Sequence, residues 1–274
     1  MTDEPSAPGA HPSPTIDASV PHSARIWTYW LGGKDHFDAD RAAGDSFLET
    51  FPGIAELART GRYFLGRAVR HLAGEAGIRQ FLDVGTGLPT VDNTHEVAQR
   101  VAPDSRIVYV DNDPLVLVHA QALLTSSPEG ATDYISADVR DTDAILEAAA
   151  RTLDLSRPVG LMLMGILAHV DSYDEARSVV RRLMDGLPSG SYLAVRDGST
   201  TDEAYARAME QYNASGAVPY HLRTPEEIAG FLDGLDLVPP GVVPCPRWRP
   251  DAADPFASPS SAESALLGGI GRKP

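Results

Sequence analysis

Cysteine is nearly absent from this 274-residue chain, which contains Cys245 alone. One thiol can form no internal disulfide and no cysteine-based metal cluster, and this usage is typical of a reducing cytosol. Long apolar runs are also missing: the longest extends from Val159 to Val170, contains His169 and is too short to cross a bilayer. The N-terminal residues lack a basic stretch followed by an apolar one, so we expect no secretion signal and a cytoplasmic protein.

Basic residues are scarce relative to acidic ones. Lys and Arg number 23 and Asp and Glu number 38, which gives a formal net charge of −15 and a sequence pI of about 4.8. Such a charge repels phosphate backbones and anionic membrane surfaces. We therefore expect no nucleic acid and no membrane as partners, with a local basic patch as the alternative; the oligomeric state stays open. The 43% of hydrophobic residues can bury a sizeable core, which excludes global disorder.

The chain divides into three predicted parts. Residues 1–22 carry repeated prolines among small and polar residues, which predicts a disordered tail. Residues 23–76 contain three helical patterns before any strand and predict an N-terminal helical cap. In residues 77–274, β-type runs alternate with helical ones, which predicts an α/β fold with a doubly wound parallel sheet and ligands at the carboxyl ends of its strands. The predicted strands are 79–84, 106–111, 133–137, 158–166, 191–197, a stretch around 237–243, and 265–270.

The most informative motif is an apolar strand that enters the Gly-x-Gly turn Gly85-Thr86-Gly87 before a helix. Glycines let the backbone bend sharply and let a ligand approach the amide groups. A dinucleotide-binding fingerprint needs a third Gly or Ala at position 90, but this position is Thr90. Asp83 would place a negative charge beside a diphosphate, so it suits a cationic ligand better. A tight turn without a ligand is the alternative interpretation.

Carboxylates follow the next two predicted strands as well. Asp111 ends the second strand, where it is placed to accept both hydroxyls of a ribose. Asp138 follows the third strand and could accept the exocyclic amine of adenine. Each has an alternative, helix capping for Asp111 or Asp113 and a loop turn for Asp138. We assign capping to Asp113, because three acids at three successive strand ends together favour a positively charged nucleoside.

Several motifs together resemble a known family. They lie at residues 24–27, 29–35, 81–90, 93–98, 109–114 and 268–274. With them the sequence resembles the class I S-adenosylmethionine-dependent methyltransferases, and more narrowly it is similar to an actinobacterial S-adenosyl methyltransferase family long catalogued as a domain of unknown function. The resemblance covers nearly everything from Ser23 onward. It implies S-adenosylmethionine as the cofactor and a Rossmann-like seven-stranded sheet with an N-terminal helical cap, but no particular substrate.

The resemblance also implies roles for residues at the three strand ends. Binding of methionine, ribose and adenine is expected at the first, second and third strand respectively. The implied cofactor contacts are Asp83, Gly85, Thr86 and Gly87 at the first strand, Asp111 and Asn112 at the second, and Asp138 and Val139 at the third.

Two further cofactor contacts are predicted outside the strand ends. The cofactor carboxylate needs a cationic partner, and the guanidinium fork of arginine matches a carboxylate. Arg59 and Arg62 precede the first strand, and we predict Arg62 as the partner, against the alternative of a solvated surface arginine. His95 begins the helix after the glycine turn and is the second predicted contact.

Methyl transfer is an in-line displacement, so the protein mainly has to align the acceptor and exclude water. A general base is needed only for a neutral hydroxyl or an ammonium acceptor. His169, after the fourth strand, is best placed for this and is the predicted catalytic residue, with shaping of the pocket as the alternative. Tyr29, Trp30, Lys34 and Phe37 of the cap are predicted to cover the cofactor or contact the acceptor, against ordinary helix packing.

The sequence therefore predicts a methyltransferase that uses S-adenosylmethionine, binds no metal and acts on an unidentified small molecule. Two alternatives stay open. One is a non-catalytic sensor that binds S-adenosylmethionine, and the other is a nicotinamide-dependent oxidoreductase, which Thr90 disfavours. One departure from the family pattern is Arg196-Asp197-Gly198 after the fifth strand, where a Ser-His-type ending is expected.

Overall fold

The structure is a computed structural model that describes residues 16–123, 125–251 and 265–274, so residues 1–15 of the predicted tail lie outside it. Helices and strands alternate along most of the chain. The helices are α1 (Ser23–Trp30), α2 (Asp38–Thr50), α3 (Ile54–Gly74), α4 (Thr94–Val101), α5 (Pro114–Leu123), α6 (Thr142–Ala149), α7 (Tyr173–Asp185), α8 (Glu203–Asn213) and α9 (Pro225–Gly230). The strands are β1 (Gln80–Val84), β2 (Arg106–Asp111), β3 (Ala131–Ser136), β4 (Gly160–Met164), β5 (Tyr192–Gly198), β6 (Asp236–Leu237), β7 (Val243–Pro244) and β8 (Leu266–Arg272).

The strands form one mixed sheet in the order β3-β2-β1-β4-β5-β8-β6, with β7 also paired to β8. Strands β1 to β5 run parallel, whereas β8 runs antiparallel to β5, β6 and β7. The predicted α/β sheet is confirmed, and over residues 16–123, 125–251 and 265–274 it contains eight strands in place of seven. The difference arises around residues 237–243, where Pro239 and Pro240 lack the amide hydrogen that a continuous strand needs, so two short strands form instead.

Both faces of the central sheet are covered by helices, because successive side chains of a strand point to opposite sides. On one face, Phe81 and Met162 belong to a core with α3 and α4. On the other, Leu82, Leu161 and Leu193 belong to a core with α6 and α7. Strands β1 and β4 are consequently buried along their whole length, as parallel strands between helical crossovers are.

The chain order of the strands determines where a ligand can enter. From β1 the chain moves outward to β2 and β3, and it then returns to add β4 and β5 on the other side of β1. The switch point therefore lies between β1 and β4. In open sheets of this kind the crevice for ligands opens there, at the carboxyl ends of the strands.

The N-terminal helices occupy different positions relative to the sheet. Helices α1 and α2 pack on each other, and α2 also packs on α8, whereas α3 packs on β4, β5 and β8. Residues 16–22 contact α1: Arg25 donates to the carbonyl oxygens of Asp17 (3.1 Å) and Val20 (3.0 Å), and His22 caps the helix. The division of the chain at residues 22 and 76 stays a prediction. Within the described ranges, no helix combines the length and the apolar character needed to span a bilayer.

Candidate active site

A cavity of about 240 Å³ lies at the switch point, at the carboxyl ends of the parallel strands. Its walls come from the residues that follow β1, β2, β3 and β4, from the end of β5, and from one side each of α1, α3 and α8. The predicted strand ends therefore meet in a single concave site, and residues of α1 form part of its wall.

The glycine turn after β1 has a backbone that only glycine fits well. Gly85 and Gly87 have φ angles of +77° and +65°, in the left-handed region that side chains disfavour. The Gly85 amide donates to the Val110 carbonyl oxygen (2.8 Å), which fastens the turn to β2. A Cβ at Gly85 would collide with the Cβ of Ile166, whereas a Cβ at Gly87 would meet no atom within 4 Å. Gly85 thus permits close packing, and Gly87 borders open space.

Asp111 is held as a fixed double acceptor at the end of β2. Its Oδ2 accepts the Gly87 amide (2.7 Å) and its Oδ1 accepts the Asp113 amide (3.0 Å). Each carboxylate oxygen keeps further accepting capacity, and the residue lines the cavity with 9% of its surface exposed. Burial raises the pKa of Asp111. Asp113 accepts the Leu115 amide (2.9 Å) and so caps α5.

Asp83 and Arg62 bring opposite charges to the wall beside β1. The Asp83 carboxylate accepts the Thr94 hydroxyl (2.6 Å), and burial raises its pKa to about 6 although Arg62 acts in the opposite direction. Arg62 donates to the carbonyl oxygens of Val91 (3.1 Å) and Asp92 (3.0 Å), while its buried Nε has no hydrogen-bond partner within the described part of the chain. A zwitterionic ligand would satisfy both side chains. Arg59, the alternative to Arg62, is exposed.

Asp138, after β3, shares its carboxylate with a neighbouring arginine. Its Oδ1 accepts the Arg140 amide (2.9 Å), and Arg140 Nη1 lies 3.1 Å from both carboxylate oxygens. Arg140 also donates to the His169 carbonyl oxygen (3.0 Å) and thereby joins the ends of β3 and β4. An amine that approached Asp138 would therefore share the carboxylate with Arg140.

His169 lies in a short 3₁₀ turn after β4 and lines the cavity. Its Nδ1 is 2.8 Å from the Pro219 carbonyl oxygen, which can only accept, so Nδ1 carries the proton and Nε2 keeps a lone pair. Burial lowers the pKa of His169 to about 4. At neutral pH the imidazole is therefore uncharged and able to accept a proton at Nε2.

We expect His169 to titrate near pH 4 in the folded protein rather than at the 6.5 of an unperturbed histidine. Between pH 6.5 and 4 the unfolded chain binds this proton and the folded chain does not, so His169 reduces stability as the pH falls through this window. A pH series of ¹H–¹⁵N spectra of the imidazole nitrogens, assigned with a His169→Gln variant, measures the midpoint. A midpoint at or above 6 would show that burial does not disfavour the charged imidazolium at this position.

The structure brings eleven of the predicted site residues into the cavity wall and leaves four outside its lining. Those that line the cavity are Trp30, Arg62, Asp83, Gly85, Thr86, Gly87, Asp111, Asn112, Asp138, Val139 and His169. The roles of these residues in binding and catalysis stay predictions, and their positions are what the structure adds.

Three of the four residues outside the lining contact other parts of the protein, and the fourth is exposed. His95 Nδ1 and its backbone amide are both 2.8 Å from the Tyr109 hydroxyl, in the buried layer under the glycine turn. The Tyr29 hydroxyl bonds to Asp45, and Phe37 lies under the Arg25 guanidinium. Lys34 is exposed. In this arrangement none of the four faces the ligand cavity.

The sequence interpretation missed an aromatic wall opposite the glycine turn. Tyr205, Met209 and Tyr212 of α8 line the cavity together with Tyr220 and Trp27. A signal for part of this wall was present, because residues spaced by four and seven positions lie on one face of a helix. That this face meets the strand ends depends on the packing of α8 against α2, which the pattern does not reveal.

Comparisons with known proteins identify the family of this chain. A model of the S-adenosyl methyltransferase family matches residues 9–274. A crystal structure of a DUF574 family protein from Streptomyces avermitilis has 48% sequence identity and a TM-score of 0.90, with 95% of this chain and 100% of that chain covered. An inferred methyltransferase from Thermobifida fusca has 45% identity and a TM-score of 0.87, with 97% and 99% covered.

A more distant structure shares the fold. It is the N-methyltransferase NodS from Bradyrhizobium japonicum in complex with S-adenosyl-L-homocysteine, with 13% identity and a TM-score of 0.50 over 80% of this chain and 88% of that chain. A search of curated proteins found no match. Because the family model and both actinobacterial structures cover nearly the whole chain, the protein belongs to the S-adenosyl methyltransferase family and is an S-adenosylmethionine-dependent methyltransferase.

Proposed function

We propose that this methyltransferase acts on a small organic molecule that enters the cavity between α1, α8 and the ends of β4 and β5. The observation that carries the proposal is the part of the cavity wall near His169, to which α1 and the aromatic residues of α8 contribute. An acceptor bound there is separated from bulk water, as a displacement reaction requires. A wall of this kind suits a small molecule better than a folded macromolecule.

The residues of the other half of the cavity fit S-adenosylmethionine. Asp111 would hold the ribose hydroxyls with its remaining lone pairs, and Asp138 would accept the amine of adenine. Asp83 and Arg62 match the ammonium and the carboxylate of an amino acid, and the unpartnered Nε of Arg62 is a donor that such a carboxylate would satisfy. When bound, the cofactor supplies a methyl group activated by a sulfonium. The adenine, ribose and amino-acid sites then follow the strand order β3, β2, β1.

The charge of the protein supports turnover as well as binding. The chain has a formal net charge of −15 and attracts a cationic cofactor. Loss of the methyl group converts the sulfonium into a neutral thioether, so the attraction to the product is weaker. This difference favours release of the product and its replacement by fresh cofactor.

The role of His169 depends on the acceptor. For a neutral hydroxyl, Nε2 would take up the proton released as the methyl group is transferred, while the Pro219 carbonyl oxygen holds Nδ1 and fixes the ring. The low pKa makes this imidazole a weak base, which restricts it to acceptors with an acidic proton. For an acceptor that is already anionic, His169 would only shape the pocket.

Calorimetric titration of the purified protein with S-adenosylmethionine tests the cofactor half of the proposal. We expect saturable binding at ligand concentrations below the millimolar range, and absence of heat and of a thermal shift at millimolar ligand would contradict it.

Transfer of a labelled methyl group to actinobacterial metabolite extracts tests the acceptor half of the proposal. We expect label in molecules that pass an ultrafiltration membrane; binding without any transfer would instead identify a sensor.

A further inference from the structure

Arg196, at the end of β5, is a buried cation that faces the cavity with most of its donors unused. Only 7% of its surface is exposed, and Nη2 donates to the Met164 carbonyl oxygen (2.8 Å). Its Nε is buried and has no hydrogen-bond partner among the residues that the structure describes. Among the described residues, Met164 is the only acceptor bonded to this guanidinium, and no carboxylate lies within ion-pair distance of it. A buried guanidinium with unused donors is stabilised by an anionic partner.

The adjacent acid, Asp197, does not pair with the Arg196 guanidinium. Asp197 is fully buried, and its Oδ1 accepts the Tyr220 hydroxyl (2.9 Å) and the Gly198 amide (3.2 Å). Burial raises the pKa of Asp197 to about 6. Successive residues of a strand face opposite sides, and Arg196 lines the cavity while Asp197 does not. The positive charge of Arg196 is therefore directed at whatever occupies the cavity.

The strand order indicates that this occupant is the methyl acceptor rather than the cofactor. The proposed cofactor contacts lie on β3, β2 and β1, whereas Arg196 lies on β5, two strands beyond β1, and its guanidinium bonds to Met164 at the end of β4. The single carboxylate of the cofactor is already matched by Arg62 beside β1. His169, after β4, lies between the two regions, on the side where the acceptor must approach.

The surroundings of Arg196 define the shape of its ligand. Its guanidinium lies over the Trp27 ring, 5.0 Å from the ring centre. Tyr205, Tyr212 and Tyr220 line the same cavity, and among the described residues none bonds to the buried Tyr212 hydroxyl. A cavity that combines one cation with several aromatic side chains suits a flat ring that carries a negative charge.

We infer that the acceptor is an aromatic acid, with Arg196 as the side chain that binds its carboxylate and Trp27, Tyr205, Tyr212 and Tyr220 as the walls around its ring. The inference rests on the proposed function, because it names the class of molecule on the acceptor side. With an aromatic acid as the acceptor, Arg196 is a specificity-determining residue. This role explains why β5 ends in Arg196-Asp197-Gly198 and not in the Ser-His-type ending that the family resemblance predicts.

The test uses the full chain saturated with S-adenosylhomocysteine and a set of one- and two-ring aromatic carboxylates, each paired with its primary amide. Each pair has nearly the same shape, and only one member is charged. We expect calorimetry to show the carboxylates binding at least about tenfold more tightly than their amides. In Arg196→Met the carboxylate and its amide should bind about equally well. The affinity of this variant for S-adenosylhomocysteine should stay within about twofold of wild type.

Two variants separate the effects of charge, packing and folding. Arg207→Met removes the same charge from the exposed side of α8 and should leave the preference unchanged. Trp27→Leu keeps the cation but removes the aromatic surface, so it should weaken carboxylate and amide alike. The measurements on wild type need no substitution, so they hold even if Arg196→Met does not fold.

The outcomes that overturn the inference are distinct from those that overturn the proposed function. If the wild type does not bind S-adenosylhomocysteine, both fail. If it does, and every carboxylate binds no better than its amide or none binds, the inference alone fails. It also fails if Arg196→Met retains the preference, or if this variant loses affinity for S-adenosylhomocysteine by tenfold or more, since Arg196 would then hold the carboxylate of the cofactor.

Discussion

The Asp111→Asn variant is expected to bind S-adenosylmethionine at least about tenfold more weakly than wild type. A hydrogen bond to a charged acceptor contributes roughly 1.5–3 kcal/mol, and Asp111 is placed to accept two from a ribose. The variant also replaces one carboxylate oxygen by an amide nitrogen, which cannot accept a hydrogen bond from Gly87 or Asp113. Calorimetric titration of both proteins with the cofactor measures the difference.

Asp143→Asn is the matched control for this experiment. Asp143 is an exposed residue in the first turn of α6, away from the cavity lining, and the substitution removes the same charge. Its affinity for the cofactor should equal that of wild type. If both variants lose affinity equally, the effect of Asp111 is one of net charge and not of ribose binding. If neither does, Asp111 is not a cofactor residue.

The Gly85→Ala variant should be destabilised by about 3 kcal/mol and should lose measurable cofactor binding. The left-handed backbone at Gly85 disfavours a side chain by about 1 kcal/mol, and overpacking adds roughly 1–3 kcal/mol. The added methyl would collide with the Cβ of Ile166, which cannot move away without its backbone. Denaturant unfolding followed by circular dichroism gives the free energy, and calorimetry gives the binding.

Gly77→Ala separates backbone strain from the collision. Gly77 has a similar φ angle, +71°, but a Cβ there would meet nothing within 4 Å, and the residue lies before β1 at the opposite end from the site. We expect it to cost about 1 kcal/mol and to bind the cofactor normally. Equal destabilisation of the two variants would show that the contact between Gly85 and Ile166 has no energetic importance.

The sequence predicted the elements with strong local signals well. Strand β2 has the predicted bounds of 106 and 111. The amphipathic pattern of residues 94–101 predicts a helix with the bounds of α4, which carries a capping box between Asn93 and Glu96. The amphipathic pattern of residues 142–153 predicts a helix that reaches Leu153, but α6 ends at Ala149. The chain continues there through turns, and the buried Leu153 prolongs the apolar periodicity beyond the helix. Periodicity reports which residues are buried and not which backbone they adopt.

The same distinction applies to the site. Residues at strand ends could be placed from chain order alone, because parallel strands bring their carboxyl ends to one edge of the sheet. The position of His95 could not be predicted in this way, because its side chain points to the Tyr109 hydroxyl under the glycine turn. Arg196 was visible only as a departure from the family pattern. Its place in the cavity depends on Trp27 of α1 and on α8, which tertiary packing alone positions.

A crystal structure of the protein with S-adenosylhomocysteine tests the central claim most directly. The ribose hydroxyls should lie within hydrogen-bond distance of the Asp111 carboxylate, with the adenine toward Asp138 and the amino-acid end toward Asp83 and Arg62. A ligand bound outside this cavity would contradict the account. So would a ligand inside it whose ribose contacts other residues, while Asp111 bonds only to the amides of Gly87 and Asp113.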